Sequence, residues 1–86
     1  MMTPARSELY RARTSFTMYF LPNDSRARRT DISRCADIEA GDVMTLVGVR
    51  EVNEDSEERT FFSARWGYIS ARTTPAVWEI LTERIA

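Results

Sequence analysis

Residues 43–52 read Val43-Met44-Thr45-Leu46-Val47-Gly48-Val49-Arg50-Glu51-Val52 and carry the clearest strand pattern in the chain. The first half is apolar at successive positions, which is typical of a strand covered on both faces, and the second half becomes polar. A polar stretch follows at residues 53–58, and a second strand pattern runs over residues 59–66. This spacing predicts a β-hairpin with a loop of about four to six residues.

The N-terminal third gives mixed signals. Thr3-Pro4 is typical of a helix start, whereas the alternation that begins at Tyr10 favours a strand, so residues 4–12 stay open between helix and strand. We predict a strand over residues 13–21, which ends at Pro22, and a loop over residues 23–30.

Two further segments also leave alternatives. Residues 31–39 favour a short helix capped by Asp31, with a short strand carrying Ile32, Ala36 and Ile38 on one side as the alternative. Gly67 indicates either a bulge within one strand or a tight turn into a further strand at residues 68–71.

The C-terminal segment has the best helix signal. Thr74 is a favourable cap, Pro75 suits the first helical position, and an apolar stripe predicts a helix over residues 75–85. The whole pattern predicts a single α+β domain over residues 1–86: a small antiparallel sheet of three to four strands with the C-terminal helix packed on one face. A small β-barrel capped by that helix is the alternative.

Composition restricts the chemistry. The 86-residue chain has twelve basic residues, all arginine, and contains neither lysine nor histidine. Histidine is the commonest general base and metal ligand, so its absence argues against most familiar hydrolases and metalloenzymes. The sequence also lacks a phosphate-binding glycine loop and a nucleophile motif. We therefore expect no enzymatic activity, no cofactor and no metal.

The cellular location is predicted from cysteine usage and hydropathy. The single Cys35 cannot form an intramolecular disulfide, which favours a reducing compartment. The apolar run at residues 16–21 is too short for a signal-peptide core, and no stretch approaches the roughly 20 residues that span a bilayer. We expect a cytoplasmic protein, in the host cell if it is phage-encoded, with no membrane partner.

Charge is divided unevenly along the chain. Residues 1–35 contain seven arginines and three acids, a net of +4, whereas residues 36–86 contain five arginines and ten acids, a net of −5. Such polarity is typical of an interaction surface, or of two halves that pair with each other in the fold.

Acidic residues at the hairpin loop are the first candidates for partner binding: Glu54, Asp55, Glu57 and Glu58. They suit a groove lined by arginine or lysine, where charge speeds association, or they simply keep the hairpin soluble.

Basic residues of the 23–30 loop are the second candidates: Arg26, Arg28 and Arg29. They suit phosphates, with Trp66 or Tyr68 as a stacking platform, or else they pair with the acidic half. The sequence pI of about 5.4 argues against nucleic acid. Trp66, like Trp78, would anchor a protein interface if exposed and belongs to the core otherwise.

In its small size, its isolated domain and its composition, the chain resembles short phage or mobile-element inhibitor proteins such as anti-CRISPR proteins, although no motif carries the likeness. The resemblance implies a stoichiometric inhibitor of a host protein or nucleoprotein complex. The alternatives are a small nucleic-acid-binding module and a virion or assembly subunit, for which a homodimer is one form.

Overall fold

The computed structural model describes the backbone of residues 3–20 and 35–86 and the side chains from Glu8 onward. Within these residues the chain forms seven strands and one helix, in this order: β1 (Thr3–Ala12), β2 (Phe16–Phe20), β3 (Cys35–Ile38), β4 (Val43–Asn53), β5 (Ser56–Ser63), β6 (Gly67–Thr73), α1 (Pro75–Leu81) and β7 (Thr82–Arg84).

All seven strands belong to one sheet with the order β3-β2-β6-β5-β4-β1-β7. Every pair of neighbours is antiparallel. The meander β4-β5-β6 lies at the centre, and the sheet curls into a half-barrel.

Two register shifts beside Leu46–Gly48 of β4 favour the curvature of the sheet. Leu46 pairs with Phe61 and Gly48 with Thr60, so Val47 is an extra residue on β4. The pairing of β1 with β4 shifts at the same level, between Pro4 and Glu8. A bulge bends its strand and increases the local twist, so two adjacent irregularities bend the sheet toward one face.

The concave face of the half-barrel holds the core. The buried apolar residues of the described chain come from six strands, β1 to β6, and the helix: Ala12, Met18, Ala36, Ile38, Met44, Leu46, Phe61, Ile69 and Trp78. Trp78 is fully buried and packs edge-on against Phe16 and at a tilt against Phe61, at ring-centroid distances of 6.3 and 5.8 Å. Its indole Nε1 donates a hydrogen bond of 3.0 Å to the Glu57 carbonyl, which ties α1 to β5.

Several sequence predictions are confirmed. The strand at residues 43–52 is β4, and it forms a hairpin with β5. The predicted loop of four to six residues is wrong, since only residues 54–55 separate the two strands and β5 runs over Ser56–Ser63 instead of residues 59–66. Gly67 has a φ of 80° and lies in the tight turn that opens β6, so the turn alternative is correct. The helix starts at Pro75, where the Thr74 hydroxyl accepts a hydrogen bond of 3.1 Å from the Val77 N–H.

The predicted fold class is wrong. The described residues form mainly β-sheet, with seven strands and one seven-residue helix, not an α+β domain with three to four strands and a helix packed on one face. The closed-barrel alternative is not met either, since β3 and β7 lie at opposite edges of the described sheet.

The C-terminal helix is shorter than predicted because Thr82 ends it. Its hydroxyl donates to the Trp78 carbonyl at 2.8 Å, its backbone N–H bonds the same carbonyl, and its own backbone is extended. Residues 82–84 then pair with β1 as strand β7 instead of continuing the helix.

The N-terminal half also differs from the prediction. Residues 3–12 form one long strand, so the helix alternative fails there, and the strand predicted at 13–21 is confined to Phe16–Phe20. Cys35–Ile38 forms an edge strand paired with β2, not part of a helix. The loop predicted at 23–30 and residues 31–34 lie outside the described residues.

The two tryptophans offer a matched test of the core. Replacing Trp78 by phenylalanine removes the donor to Glu57 and leaves a cavity, and we expect the free energy of unfolding to fall by about 2 kcal/mol. Trp66→Phe removes the same atoms where the buried indole N–H meets no acceptor among the described residues, so we expect a loss below about 1 kcal/mol. Urea unfolding followed by far-UV circular dichroism compares the two, and equal losses would contradict this account.

Candidate functional site

Four exposed apolar residues lie on the convex face of the sheet: Tyr19, Val43, Phe62 and Tyr68, which we call the outer aromatic surface. Their exposed fractions are 58%, 49%, 41% and 51%. Phe62 and Tyr68 are direct cross-strand partners, and their rings meet edge-on at 5.1 Å. Tyr19 pairs with Ser70, two residues from Tyr68 on the same face of β6. The strand register therefore gathers these residues on one side.

Beside the outer aromatic surface runs a row of small residues. Gly48 pairs with Thr60 and Thr60 with Ser70, and all three are buried. A charged row follows, in which Arg50 faces Glu58 and Glu58 faces Arg72. The Arg50 Nη2 lies 3.1 Å from the Glu58 Oε1. Aromatic, small and charged side chains thus form parallel bands across the convex face.

Two arginines beside the outer aromatic surface are paired with acids. Arg11, which pairs with Val43 on the neighbouring strand, lies 3.3 Å from Glu83. Arg65, in the turn between β5 and β6, lies 3.7 Å from Glu39. Charge pairs of this kind leave little net positive potential to attract phosphates.

The four predicted acidic residues do not form one cluster. Glu57 pairs with Arg59 on the concave face at 2.9 Å, and Glu58 pairs with Arg50 on the convex face. Only Glu54 and Asp55 remain together, exposed at the β4–β5 turn, where the Asp55 N–H donates to the Asn53 side chain at 2.9 Å. We call Glu54 and Asp55 the acidic tip.

The other candidates have different outcomes. Arg26, Arg28 and Arg29 lie outside the described residues. Trp66 is partly buried, with its ring edge-on to Phe20 at 5.7 Å and the Arg65 guanidinium 5.0 Å from its centroid. Trp66 therefore packs mainly against this chain, so its exposed area is smaller than that of Tyr68.

An open groove of about 760 Å³ lies at one end of the half-barrel, between β1, β5, α1 and β7. Its lining combines aromatic, apolar and charged residues: Tyr10, Arg13, Arg59, Ala76, Trp78, Glu79, Ile80, Thr82, Glu83 and Arg84. Sequence reasoning did not find this groove, because its residues come from distant parts of the chain that only the sheet order brings together.

Arg59 is the most constrained charged residue of the groove. Its Nε donates to the Glu57 Oε2 at 2.9 Å, and only 16% of the side chain is exposed. The guanidinium carbon lies 5.6 Å from the Tyr10 ring centroid and 5.5 Å from that of Trp78, within cation–π range of both. Three contacts therefore hold the guanidinium in place.

Tyr10 connects Arg59 to the edge of the sheet. Its hydroxyl donates to the Glu8 Oε1 at 3.1 Å, and Glu8 lies 3.7 Å from Arg84. Burial raises the pKa of Tyr10 above its usual value of 10.0, the hydrogen bond to the Glu8 carboxylate raises it further, and Arg59 and Arg84 lower it to a lesser degree. The neutral phenol is therefore favoured in the folded protein.

The described residues contain no group of three or more cysteine, aspartate or glutamate side chains placed to hold a metal ion. Within the same part of the chain, no helix has the length and apolar character needed to cross a bilayer.

The sequence alone indicates part of the outer aromatic surface. If residues 62 to 68 formed one continuous strand, alternation would place Phe62 and Tyr68 on the same face. The turn after Ser63 instead folds the chain back and places Phe62 directly opposite Tyr68. A stronger signal for an exposed aromatic residue is the adjacent pair Phe61 and Phe62. Neighbouring residues of a strand point to opposite faces of the sheet, so a core on one face can bury only one of the two rings.

Comparisons with protein-family models, with curated proteins and with solved structures found no match to this chain.

The raised pKa of Tyr10 predicts a pH dependence. A tyrosine whose folded pKa exceeds its unfolded pKa stabilises the fold below about pH 10, and this stabilisation is lost as the pH rises through the folded pKa. We expect the free energy of unfolding of the wild type to fall more steeply than that of Tyr10→Phe as the pH rises above about 9. Because the chain has no lysine or histidine, few other groups titrate in this range. Parallel slopes in urea unfolding would contradict the assignment.

Proposed function

We propose that this chain is a non-enzymatic binding protein that inhibits a protein partner by occupying one of its surfaces, and that the outer aromatic surface makes the contact. The observation that carries the proposal is the placement of exposed apolar side chains. Six large hydrophobic residues of the described chain are exposed, and four of them form the outer aromatic surface. Singly scattered apolar residues need no explanation, whereas a contiguous group marks an interaction site.

The chemistry of these residues supports a protein partner. Tyrosine and phenylalanine are enriched at the centres of protein interfaces, where rigid rings bury a large area at low entropic cost. The rings of Phe62 and Tyr68 already pack on each other across two strands, so little order has to be gained on binding.

The charge around the surface favours protein over nucleic acid. Arg11, Arg50 and Arg65 each lie within 4 Å of a glutamate, so the charges of these three guanidinium groups are partly neutralised. Nucleic-acid binding depends on an excess of unpaired cations. The nucleic-acid module therefore stays the alternative, resting on Tyr68 as a stacking platform and on arginines outside the described residues.

The proposed inhibition requires one copy of the chain to cover a functional surface of its partner. The chain is small, and its exposed rings lie on the broad convex side of a rigid sheet, a shape that suits blocking a surface. Asp55 of the acidic tip precedes Phe62 by seven residues, which is about 23 Å at the usual rise of a strand. It is placed to steer the chain toward a partner with a basic surface.

A double substitution tests the outer aromatic surface. Phe62→Thr with Tyr68→Thr keeps strand-favouring residues but removes both rings, and we expect the affinity for the partner to fall by about tenfold or more. Ile85→Thr is the matched control, since Ile85 is also 41% exposed but lies at the C-terminus. The partner is captured with tagged wild-type chain from lysate of the natural host, with and without nuclease treatment, and titration calorimetry then measures affinity and stoichiometry.

The outcomes separate the alternatives. A partner that binds one-to-one to wild type and to Ile85→Thr, but weakly to the double variant, supports the proposal. Retention by the double variant contradicts it, and recovery that depends on intact nucleic acid favours the nucleic-acid module. A dimer in light scattering that the double variant abolishes would identify an assembly subunit instead.

The acidic tip gives a separate kinetic prediction. Glu54→Gln with Asp55→Asn removes two charges without changing size, and we expect a slower association rate and a weaker salt dependence, with a smaller change in the dissociation rate. Stopped-flow mixing with the purified partner measures both rates. The control is Glu79→Gln on α1, and an association rate unchanged by the tip variant would remove Glu54 and Asp55 from the interface.

A further inference from the structure

We propose that the groove at the end of the half-barrel is a binding site for a carboxylate carried on an apolar body, with Arg59 as the group that binds the anion. This site lies on the concave side of the sheet, because Arg59 shares a face with Phe61 while Phe62 points to the opposite face. The inference therefore stands apart from the outer aromatic surface, and either one can fail alone.

The first argument is the state of the Arg59 guanidinium. Its Nε is bonded to Glu57 and its Cζ lies over the rings of Tyr10 and Trp78, yet its two Nη groups donate no hydrogen bond to any described residue. A guanidinium held in this way presents a prearranged pair of N–H donors. A carboxylate matches that fork with two parallel hydrogen bonds.

The second argument is the charge of the groove. Arg59 pairs with Glu57, Arg84 lies 3.7 Å from Glu8, and Glu83 pairs with Arg11. The Arg13 Nε donates to a neutral group, the Thr82 carbonyl, at 3.2 Å. With one exposed acid, Glu79, on the opposite wall, the groove has little net charge. A singly charged carboxylate therefore suits it better than a phosphate dianion.

The third argument is the apolar wall. Ala76 and Ile80 of α1 line the groove, and Ile80 is 65% exposed. Together with the Tyr10 ring they offer contact to the hydrocarbon part of a ligand. The volume of about 760 Å³ lies within the range of small-molecule sites, roughly 300–1,000 Å³, and greatly exceeds that of an isolated inorganic anion.

Phenylacetate is the probe that combines both features, and phenylacetamide is its neutral counterpart of the same shape. Nuclear magnetic resonance follows the Arg59 Nε–H and the Trp78 indole N–H during titration of each compound at constant ionic strength. We expect saturable shifts with phenylacetate at a Kd on the order of 1 mM, and binding of phenylacetamide weaker by about tenfold or more. Equal affinities for the two compounds, or chemical-shift changes that do not saturate, would overturn the proposal. This test uses the wild-type protein and needs no substitution.

A pair of arginine substitutions locates the site. Arg59→Lys keeps the charge but loses the fork, and we expect the affinity for phenylacetate to fall by about tenfold. The matched control is Arg50→Lys, which alters another glutamate-paired arginine on the convex face and leaves the affinity unchanged. Binding that survives Arg59→Lys overturns the assignment. If Arg59→Lys does not fold, the comparison of acid and amide on the wild type still decides.

Two sources can supply such a carboxylate: a free organic acid or the C-terminus of a protein. An acetylated peptide ending in Ala-Ala-Phe with a free carboxylate, measured against its C-terminal amide, distinguishes them. Binding tighter than that of phenylacetate identifies a protein C-terminus, and weaker binding identifies a small acid. Absence of binding by both acids contradicts the proposal.

Discussion

The contact between Trp78 and Glu57 holds the structure together. A sheet that curls without closing leaves its concave face open, and seven residues of helix are too few to be stable alone. The Trp78 ring fills the space above Phe61, and its N–H bonds the Glu57 carbonyl in the central hairpin. This contact fixes the helix to the sheet by apolar packing and by a directional hydrogen bond.

That contact also arranges the groove. Because the Trp78 N–H holds the backbone of Glu57, the Glu57 carboxylate meets Arg59 two residues along the same strand face. Arg59 in turn lies between the rings of Trp78 and Tyr10. The same residues therefore contribute to stability and to the proposed anion site. A substitution among them can abolish binding by unfolding the protein, so the comparison of phenylacetate with phenylacetamide on the wild type is needed as a separate test.

The sequence predicted local features better than the sheet as a whole. Residues 43–52 are apolar enough to specify a central strand, and Thr74-Pro75 specifies a helix start by a capping bond that local chemistry alone provides. β7 has only three residues, and what directs them into the sheet is pairing with β1, whose partner residues lie 70 to 74 positions earlier in the chain. Such a distant pairing leaves no local signal, which is why the helix was predicted four residues too long.

The candidate sites follow the same rule. The acidic loop was visible in the sequence, but alternation along β5 sends Glu57 and Glu58 to opposite faces, so four adjacent acids do not make one surface. The outer aromatic surface depends on the register that places Phe62 against Tyr68, and the groove depends on the sheet order. Both require knowledge of which strands are neighbours.

The use of arginine alone has a physical consequence at residue 59. A lysine there would place a compact charge beside two rings and could form an ion pair with Glu57, but it would have no planar face to stack and no second edge to offer. Arginine can stack, pair and still present donors, which is what a half-buried position between Tyr10 and Trp78 demands. The Arg59 guanidinium therefore packs against Tyr10 and Trp78 and is also the group best suited to bind an anion in the groove.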